Sequence, residues 1–397
     1  MLEGVNVALG VSGSIAAVKC VELAHELRRH GAAVRAVMTP AAKGIIHPWA
    51  LEFATEHDVV TEITGRVEHV ELCGREGWAD VLLLAPATAN TVGKVASAVD
   101  DTPVTTCATT ALGAGVPVVC APAMHEPMYD HPGVLEALDQ LEAWGVEFVE
   151  PRIEEGKAKI ATEGAVVTGV ARAVSSQALD GRHVVVTAGA TAEPLDPVRV
   201  LTNRSSGKTG RAVARACSVA GADVTLVHGT GSSRPDVDTH YADVEWVESA
   251  EEMLAATLDA CPDADALVSA AAISDFTVAA ESEKIRSGEP RTLDLEPTPK
   301  LIDRVRDSFP DLAVVGFKAE TAGDDEDMVA AARRIMSRAG LSFVVANDAS
   351  VMGDEETRAL VVTGTEADES GTGTDEFVGS KQALGARVAA ELAAVLD

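Results

Sequence analysis

The chain has 397 residues, enough for two or three domains that each bury a full core, and 47% of them are hydrophobic, which excludes a disordered chain. Its 62 Asp and Glu outnumber its 32 Lys and Arg, and the net charge of −30 disfavours binding to nucleic acid or to anionic membranes. The acidic residues are spread along the whole chain, which favours a halophilic protein, adapted to high salt, over an ordinary acidic one.

The sequence also predicts a cytoplasmic protein without a membrane span. The first residues lack the basic region and the separate apolar segment of a signal peptide. No stretch reaches the roughly 18 consecutive apolar residues that a transmembrane helix needs. We therefore expect neither membrane nor nucleic acid among the partners.

The first half opens with a strand, a glycine-containing turn, a helix and a second strand. The apolar run at 5–9 leads into a turn with Gly10 and Gly13, a helical pattern follows at about 15–30, and 34–38 has the character of a strand. This order is typical of a βαβ unit.

The same order restarts at Gly181. A strand at 183–187 precedes a loop rich in Gly and Pro, a helix at about 207–220 and a strand at 223–227. Further apolar runs of strand length alternate with helical segments, at 81–85, 116–120, 266–269, 313–316 and 342–346. The pattern predicts an α/β protein with two doubly wound Rossmann-like domains, 1–175 and 181–397, whose sheets are mainly parallel.

Parallel sheets bind ligands at the carboxyl ends of their strands, so the loops after the first-half strands are candidates for a binding site. Glycines let the backbone approach a phosphate, and a helix N-terminus offers free N–H groups. The candidates after the first three of these strands are Ser12, Gly13, Ser14, Ile15, Thr39, Ala87, Thr88, Ala89 and Asn90. The fourth strand leads into a loop that contains His125.

These loops together resemble the homo-oligomeric flavin-containing cysteine decarboxylase family. The chain has the family's GSIAA-type loop at 13–17, its APATANT loop at 85–91 and, at 122–125, the letters PAMH in place of a PAMN-type loop. His69 matches the family's catalytic histidine. The resemblance covers about residues 4–170 and implies a flavoprotein-type domain that binds FMN, with the FMN phosphate on the first loop.

The resemblance also implies a reaction. The flavin oxidises the substrate's cysteinyl thiol, the thioaldehyde acts as an electron sink, and the neighbouring carboxylate leaves as carbon dioxide. The enethiol is then reduced and protonated. His69 suits the proton transfer because the pKa of histidine lies near neutral pH. The structural alternatives are a surface or capping histidine for His69 and a helix cap for Asn90.

Two positions depart from the family pattern. His125 stands where the family has an asparagine thought to hold the substrate carboxylate, although a histidine can also donate a hydrogen bond to a carboxylate. The segment 151–162 has no Cys, whereas bacterial members carry a cysteine proton donor there; Lys157 or Lys159 could close over the substrate. A degenerate or regulatory flavin-binding half therefore stays open as an alternative.

The second half has a candidate anion site after its first strand. Ser205 and Ser206, followed by Gly207, form a helix N-terminus suited to an anion. The GxxxxGK[ST] spacing of a P-loop fails because position 202 is Thr and not Gly. The sequence therefore argues against a P-loop ATPase.

This motif closely resembles that of the phosphopantothenate–cysteine ligase family. Four more family motifs follow in the same order, AAAISDF at 270–276, KIR at 284–286, GFKAET at 316–321 and VAND at 345–348. The match implies a ligase-type domain in which a nucleotide, usually CTP in bacterial members, activates the carboxylate of 4′-phosphopantothenate. Pyrophosphate leaves, and the amine of cysteine displaces the nucleotide from the acyl-nucleotide intermediate.

The ligase resemblance implies roles for single residues. Asn203 would stabilise the acyl intermediate, Lys284 would contact the triphosphate, and Phe317 would lie near the base. Asp275 would bind the ribose or help to place Mg²⁺. The other substrate-binding residues that the match implies are Ala270, Ala271, Pro299, Lys300, Leu301, Ile302, Arg334 and Arg338.

The ligase motifs have departures too. The family's KxKK is Lys284-Ile285-Arg286-Ser287 in this chain, so the last lysine is missing. Arg334 and Arg338 replace family lysines, which keeps the charge and changes the geometry. A solvated helix face is the alternative for these two arginines, and the choice between CTP and ATP stays open.

Together these features predict a bifunctional enzyme of coenzyme A biosynthesis with FMN and Mg²⁺ as cofactors and with 4′-phosphopantothenate, cysteine and CTP as substrates. The alternative is a ligase with a degenerate or regulatory flavin-binding half. The resemblance also implies a homo-oligomer. Three-fold contacts of the flavin half combined with two-fold contacts of the ligase half would give a closed dodecamer.

Overall fold

The computed structural model describes residues 1–154, 157–288, 290–320, 324–348, 356–363 and 373–397. The chain forms two compact units, Met1–Ser176 and Gln177–Asp397. Both are α/β, one with a parallel sheet and the other with a mostly parallel sheet, which confirms the predicted fold class. None of the helices within the described ranges has both the length and the apolar character that crossing a membrane requires.

The first unit contains a parallel sheet with the strand order β2-β1-β3-β4-β6 and a small antiparallel sheet with the order β5-β8-β7. The strands are β1 (Asn6–Val11), β2 (Ala33–Met38), β3 (Val81–Ala87), β4 (Val118–Pro122), β5 (Met124–His125), β6 (Glu147–Phe148), β7 (Arg152–Glu154) and β8 (Lys157–Lys159). The helices are α1 (Cys20–Arg29), α2 (Pro48–Thr55), α3 (Glu68–Cys73), α4 (Ala89–Ala96), α5 (Pro103–Ala114), α6 (Glu126–Tyr129), α7 (Pro132–Ala143) and α8 (Glu163–Ala173).

The burial of the strands in the first unit is that of a parallel sheet covered by helices. All residues of β3 are buried, as expected for a central strand covered by helices on both faces. The core that packs around it consists of Ala, Val, Leu and Cys, in keeping with an aromatic content of only 3%. Thr102 starts α5 with a capping box to Thr105, and Gly115 ends it in the left-handed conformation with φ of 78°.

The helix predicted at 15–30 is divided in the structure. Ile15–Lys19 forms a 3₁₀ turn, which Ser14 caps by accepting a hydrogen bond from the backbone N–H of Ala16 at 3.3 Å, and α1 follows. In 3₁₀ geometry the side chains of Ile15 and Val18 lie above one another. Both are exposed, so the apolar periodicity in this stretch does not mark a buried helix face.

The second unit contains a larger sheet with the order β13-β12-β9-β14-β17-β18-β19-β20. Its strands are β9 (His183–Ala190), β12 (Asp223–Thr230), β13 (Asp243–Val247), β14 (Ala266–Ser269), β17 (Ala313–Glu320), β18 (Phe343–Asp348), β19 (Glu356–Val362) and β20 (Thr374–Ser380). Two hairpins lie outside this sheet and pair β10 (Ala192–Asp196) with β11 (Arg199–Thr202) and β15 (Phe276–Thr277) with β16 (Glu296–Pro297). The helices are α9 (Lys208–Val219), α10 (Ala250–Ala260), α11 (Leu301–Ser308), α12 (Asp325–Ala339) and α13 (Lys381–Leu396).

The strands from β13 to β18 pair in parallel, whereas β19 and β20 are antiparallel additions that the sequence analysis did not predict. β20 forms the edge of the sheet, and the side chain of its Val378 is 70% exposed. An edge strand with polar and exposed residues lacks the continuous apolar run that identifies a buried strand. Helices α9 and α13 pack on one face of the sheet, against a core that includes Val213 and Leu392.

Candidate active sites

A cavity of about 650 Å³ lies at the carboxyl ends of β1, β2, β3 and β4 in the first unit. Of the predicted residues it is lined by Gly13, Ser14, Ile15, Thr39, Thr88, Asn90 and His125. Within the described part of the chain, the lining does not include Ser12, Ala87, Ala89 or His69. The strand order therefore brings four loops from distant parts of the sequence into one concave surface of the size that cofactor sites have.

Gly13 is required by a close backbone approach in this cavity. A Cβ at this position would lie 2.5 Å from the Cβ of Ala41 and 3.0 Å from its carbonyl carbon. Such distances are far shorter than van der Waals contact, so any larger residue would push the β1 loop away from the β2 loop. The glycine keeps these two loops together at the cavity wall.

Ser12 supports the cavity from behind. Its side chain is buried and its hydroxyl bonds to the hydroxyl of Thr91 at 2.7 Å. Thr91 in turn bonds to the hydroxyl of Thr88 at 3.1 Å. These hydrogen bonds fix the first loop to the start of α4. Ser12 therefore makes a structural contact at a position for which the sequence analysis predicted contact with the cofactor.

Asn90 is exposed on the first turn of α4 and does not cap the helix. The cap is Thr88, whose hydroxyl accepts a hydrogen bond from the backbone N–H of Thr91 at 3.2 Å. One turn further, Lys94 also lines the cavity and is paired with Asp101 at 2.7 Å. The amide of Asn90 is therefore left to face the cavity.

His69 lies in α3, outside the residues that line the cavity. The Ncap of this helix is Val67, so His69 does not act as a cap. Its Nδ1 is buried and has no hydrogen-bond partner among the described residues. Burial of an imidazole nitrogen without a hydrogen-bond partner is unfavourable. Nδ1 of His69 can therefore still form a hydrogen bond.

His125 lies in β5, which pairs with β8 in the register His125 to Lys157. The strands β7 and β8 come from the segment 151–162, where the sequence predicted a flap. This segment therefore lies directly beside the loop that carries His125. The side chain of Lys157 lies outside the described part of the chain.

A second cavity, of about 480 Å³, lies at the carboxyl ends of β9, β14 and β17 in the second unit. Of the predicted residues it is lined by Ala270, Ala271, Asp275, Pro299, Lys300, Leu301, Ile302, Phe317 and Arg338. The N-terminus of α9, with Ser205 and Ser206, forms another part of its wall. The predicted residues that do not line the cavity, all within the described ranges, are Asn203, Lys284 and Arg334.

Asn203 joins two of the predicted motifs. Its Nδ2 donates a hydrogen bond to the carbonyl of Ala272 at 2.7 Å, and its Oδ1 accepts one from the backbone N–H of Ser205 at 3.3 Å. The loop before α9 and the loop after β14 are thereby held together beside the cavity. Asn203 is thus in a position to shape the anion-binding loop whether or not it touches a ligand.

The charged residues of this cavity form pairs. Lys300 donates a hydrogen bond to the carboxylate of Asp275, and Arg338 pairs with Asp303 at 2.8 Å. Both pairs are exposed, so their attraction is weakened by solvent and they can exchange partners at low cost. Arg334, one turn before Arg338 on α12, is exposed and is not among the residues that line the cavity.

Lys284 is positioned through its neighbour in the chain. The N–H of Ile285 donates a hydrogen bond to Asp196 at 3.0 Å, and the carbonyl of Ile285 accepts one from Arg199 at 2.6 Å. Burial raises the pKa of Asp196, but the hydrogen bonds from Arg199 and from three backbone N–H groups outweigh it and hold the pKa well below its usual range. This ionised carboxylate clamps the backbone next to Lys284.

The sequence analysis did not predict Arg211 and His228, which hold the loop before α9, here called the α9 loop. Nη1 of Arg211 donates hydrogen bonds to the carbonyl of Ser206 at 2.9 Å and to Nε2 of His228 at 2.8 Å. Burial lowers the pKa of His228 to about 4, so the imidazole is neutral at pH 7. The position of His228 at the end of a strand was the available signal, but a lone histidine after an apolar run has no specific pattern.

Within the described ranges, no group of three or more His, Cys, Asp or Glu side chains could hold a metal ion. Among the described residues, Asp275 and Asp303 are the carboxylates that line the second cavity. A hard divalent cation that keeps most of its water and binds through one carboxylate and ligand phosphates fits this arrangement.

The fold and the two cavities define a two-unit α/β enzyme with one cofactor- or nucleotide-type site at the carboxyl edge of each sheet. The Flavoprotein family model matches residues 1–175, and the model of the DNA/pantothenate metabolism flavoprotein C-terminal domain matches residues 179–395. Relatives that are 34–51% identical over most of the chain carry the name coenzyme A biosynthesis bifunctional protein CoaBC, so the chain belongs to that family. Members of this family are bifunctional enzymes with a decarboxylase domain and a ligase domain, and the chain is such an enzyme.

Three of the relatives with this name illustrate the similarity. The protein of Thermococcus kodakarensis is 51% identical over 91% of this chain and 89% of its own length. That of Methanocaldococcus jannaschii is 34% identical over 98% of this chain and 93% of its own length, and that of Bacillus subtilis is 34% identical over 89% and 88%. The similarity spans both units.

Proposed function

We propose that the second unit joins 4′-phosphopantothenate to cysteine at the expense of CTP, through an acyl-nucleotide. A carboxylate oxygen attacks the α-phosphorus and pyrophosphate leaves. The amine of cysteine then attacks the acyl carbon, loses a proton and displaces CMP. The observation that supports this best is the single cavity formed by the start of α9 and the loops after β14 and β17.

The residues of this cavity suit a triphosphate. The N-terminus of α9 offers backbone N–H groups and the positive end of a helix of 12 residues. Lys300 and Arg338 can turn from their exposed carboxylate partners to phosphate oxygens. Mg²⁺ would neutralise further phosphate charge, with Asp275 as the protein ligand, and Phe317 provides an apolar surface for the base.

Two predicted residues would act from outside the cavity lining. Asn203 holds the α9 loop against Ala272 and so positions the N–H groups that face the acyl phosphate. Lys284 extends from a backbone clamped by Asp196, on a segment that lies beside the β10–β11 hairpin. We propose that its ammonium reaches the triphosphate when the nucleotide is bound.

We further propose that the first unit binds FMN and decarboxylates 4′-phosphopantothenoylcysteine to 4′-phosphopantetheine. The residues present fit this cofactor, because the cavity is large enough and Gly13 allows a close backbone approach. The exposed Ile15 offers an apolar wall, and the first turn of α4 offers N–H groups. When bound, FMN would accept electrons from the cysteinyl thiol and return them after carbon dioxide has left.

The side chains around this cavity would bind and orient the substrate. His125 can donate a hydrogen bond to the substrate carboxylate, the task of the asparagine it replaces. Thr88 and Asn90 can donate hydrogen bonds to the cofactor from the start of α4. His69, whose Nδ1 lacks a partner among the described residues, would supply or accept a proton if a second copy of the chain completed its surroundings.

One assay tests both halves. The full chain is given 4′-phosphopantothenate, cysteine and Mg²⁺ with either CTP or ATP, and products are identified by mass spectrometry. We expect pyrophosphate, CMP and 4′-phosphopantetheine with CTP, and a purified protein with a flavin spectrum. A colourless protein that accumulates 4′-phosphopantothenoylcysteine would contradict the proposal for the first unit. Absence of any condensation product with both nucleotides would contradict the proposal for the second.

The variant Asn203→Ala separates the two activities. It lies in the second unit and leaves the flavin cavity unchanged. We expect it to lose most of the condensation activity while it still decarboxylates supplied 4′-phosphopantothenoylcysteine at the rate of the wild type. Undiminished condensation by the variant would contradict the assigned role of Asn203.

We propose a homo-oligomer, with a dodecamer as the expected closed form. The support lies in two large apolar side chains on one face of α2, where Trp49 is 74% and Phe53 76% exposed. Such residues mark contact surfaces in soluble proteins. Native mass spectrometry should give a multiple of the 41.1 kDa chain, and Trp49→Glu should lower it; a monomer in the wild type would contradict the proposal.

We also propose a cytoplasmic enzyme and infer from the charge of −30 that it works in high salt. Activity and stability should rise, or stay constant, as the salt concentration is raised, because screening weakens the repulsion between acidic groups. Inactivation at high salt with full activity in dilute buffer would contradict the salt-adapted surface.

A further inference from the structure

The second unit has a separate small cavity of about 190 Å³ along the outer side of α9. We name it the basic cavity. Four of the eight residues that line it are cationic, in a protein whose acidic residues outnumber its basic ones almost two to one. The cations are Lys208, Arg211 and Arg215 of α9 and Lys381 at the start of α13.

Helical spacing explains how α9 supplies three of these cations. Positions 208, 211 and 215 are separated by three and four residues, so their side chains lie on one face of the helix. The opposite wall is formed by Tyr241 and Asp238, which lie between β12 and β13. The side chain of Asp238 is also bonded to Nδ1 of His240 at 2.7 Å. An anion in the cavity would reduce the repulsion between the cations Arg211 and Arg215 on this helix face.

Arg215 has no carboxylate partner within the described part of the chain. Its guanidinium lies over the ring of Tyr241, 5.2 Å from the centroid. This stacking fixes the plane of the guanidinium and leaves its N–H groups for another acceptor. An arginine held in this way is pre-organised for a bidentate contact with an oxyanion.

Arg211 also uses only some of its hydrogen-bond donors. Its Nη1 donates to Ser206 and to His228, whereas its Nε and Nη2 make no hydrogen bond to the described residues. Burial lowers the pKa of Arg211, which indicates a cation that has lost part of its hydration. An anion in the basic cavity would restore the missing electrostatic stabilisation.

We propose that the basic cavity binds a small phosphoryl anion, pyrophosphate or the terminal phosphates of a nucleotide. Its volume suits one or two phosphoryl groups and is too small for a complete nucleotide. The two guanidinium groups of Arg211 and Arg215 match phosphate oxygens better than a single carboxylate. Neither Arg211 nor Arg215 lines the ligase cavity, so the basic cavity adjoins that site but has its own arginines.

The two cavities share Lys208 and Lys381 as lining residues. An anion in the basic cavity therefore shares part of its cationic wall with the nucleotide in the ligase cavity. This coupling rests on the proposed ligase function, because that reaction would release pyrophosphate next to Lys208. The binding itself does not depend on turnover.

The test measures binding of inorganic pyrophosphate to the full chain by isothermal titration calorimetry, without nucleotide or metal and at constant ionic strength. Arg215→Gln removes one fork of the basic cavity and should raise the Kd roughly tenfold. Arg66→Gln, an exposed residue of the first unit, removes the same charge and should leave the Kd unchanged. Equal affinities for wild type and Arg215→Gln would overturn the proposal.

Further arms identify the source of the anion. If free pyrophosphate is the ligand, CTP and pyrophosphate bind together and Arg215→Gln leaves the KM for CTP unchanged. If the nucleotide tail is the ligand, CTP displaces pyrophosphate and the variant raises that KM. Arg215→Lys, which keeps the charge without the fork, should give an intermediate Kd and guards against a variant that fails to fold. A chain that binds pyrophosphate normally but produces none from CTP would refute the ligase proposal and leave this one standing.

Discussion

Nη1 of Arg211 donates a hydrogen bond to Nε2 of His228 across 2.8 Å, and the same nitrogen donates to the carbonyl of Ser206. Nδ1 of His228 donates to the carbonyl of Gly229 at 2.7 Å, which requires that Nε2 carries no proton and acts as the acceptor. The loop before α9 is therefore tied to the end of β12 by a neutral imidazole. Protonation of that imidazole would place two cations face to face.

The first prediction concerns pH. Burial lowers the pKa of His228 to about 4; the Gly229 carbonyl opposes this shift and Arg211 adds to it. An unfolded histidine binds its proton near pH 6.5, so the stabilisation is complete above about pH 6.5 and is lost as the pH falls towards about 4. The loss amounts to about 3 kcal/mol. Urea unfolding of wild type and His228→Gln across this range should show a smaller pH dependence in the variant.

His25→Gln, in the first unit, is the matched control for this experiment. It should keep the pH dependence of the wild type because it leaves the α9 loop unchanged. If His228→Gln and the wild type lose stability in parallel between about pH 6.5 and about pH 4, the neutral imidazole has no part in folding.

The second prediction concerns Gly13. Gly13→Ala places a Cβ 2.5 Å from the Cβ of Ala41, so the loops after β1 and β2 must separate. We expect the ratio of flavin to protein absorbance to fall at least fivefold. Overpacking costs on the order of 1 kcal/mol or more, which corresponds to a loss of affinity of that size. Gly44→Ala is the control, since a Cβ there meets nothing within 4 Å. Full flavin content in Gly13→Ala would show that the cofactor lies elsewhere.

The third prediction concerns the clamp on Lys284. Asp196→Asn weakens the hydrogen bonds that hold Ile285 and Arg199, so the segment with Lys284 should lose its fixed position. We expect the KM for the nucleotide to rise roughly tenfold, with a smaller change in kcat and no change in decarboxylation. Steady-state kinetics of each half-reaction provide the measurement.

Glu281→Gln supplies a matched control for Asp196→Asn. It removes one negative charge from an exposed ion pair with Arg291 on the same stretch of chain, a pair that contributes little. Similar KM values for the two variants would mean that charge, and not the clamp, governs nucleotide binding.

The fourth prediction concerns His125. The variant His125→Asn keeps a hydrogen-bond donor at the cavity and should retain decarboxylation within about threefold. His125→Leu removes the donor and should lower kcat/KM at least tenfold while flavin content stays constant. Decarboxylation of 4′-phosphopantothenoylcysteine by each purified variant is the measurement. Wild-type rates in His125→Leu would remove this histidine from the reaction.

The sequence determined the α/β class, the alternation of strands and helices and the loops that carry chemistry. Local patterns suffice for these features, because a buried parallel strand is a continuous apolar run and a phosphate loop needs glycine and a helix start. The GSIAA loop at 13–17 and the SSG motif at 205–207 were visible for this reason.

Only the tertiary structure decided which of these residues face a cavity. Ser12 turned out to brace Thr91, Asn203 to hold the carbonyl of Ala272, and His69 to lie away from the cavity lining. The contacts of Arg211 with His228 and of Asp196 with Ile285 join positions 17 and 89 residues apart in sequence. Such contacts depend on strand order and register, which bring distant segments together in space and leave no periodic pattern in the sequence.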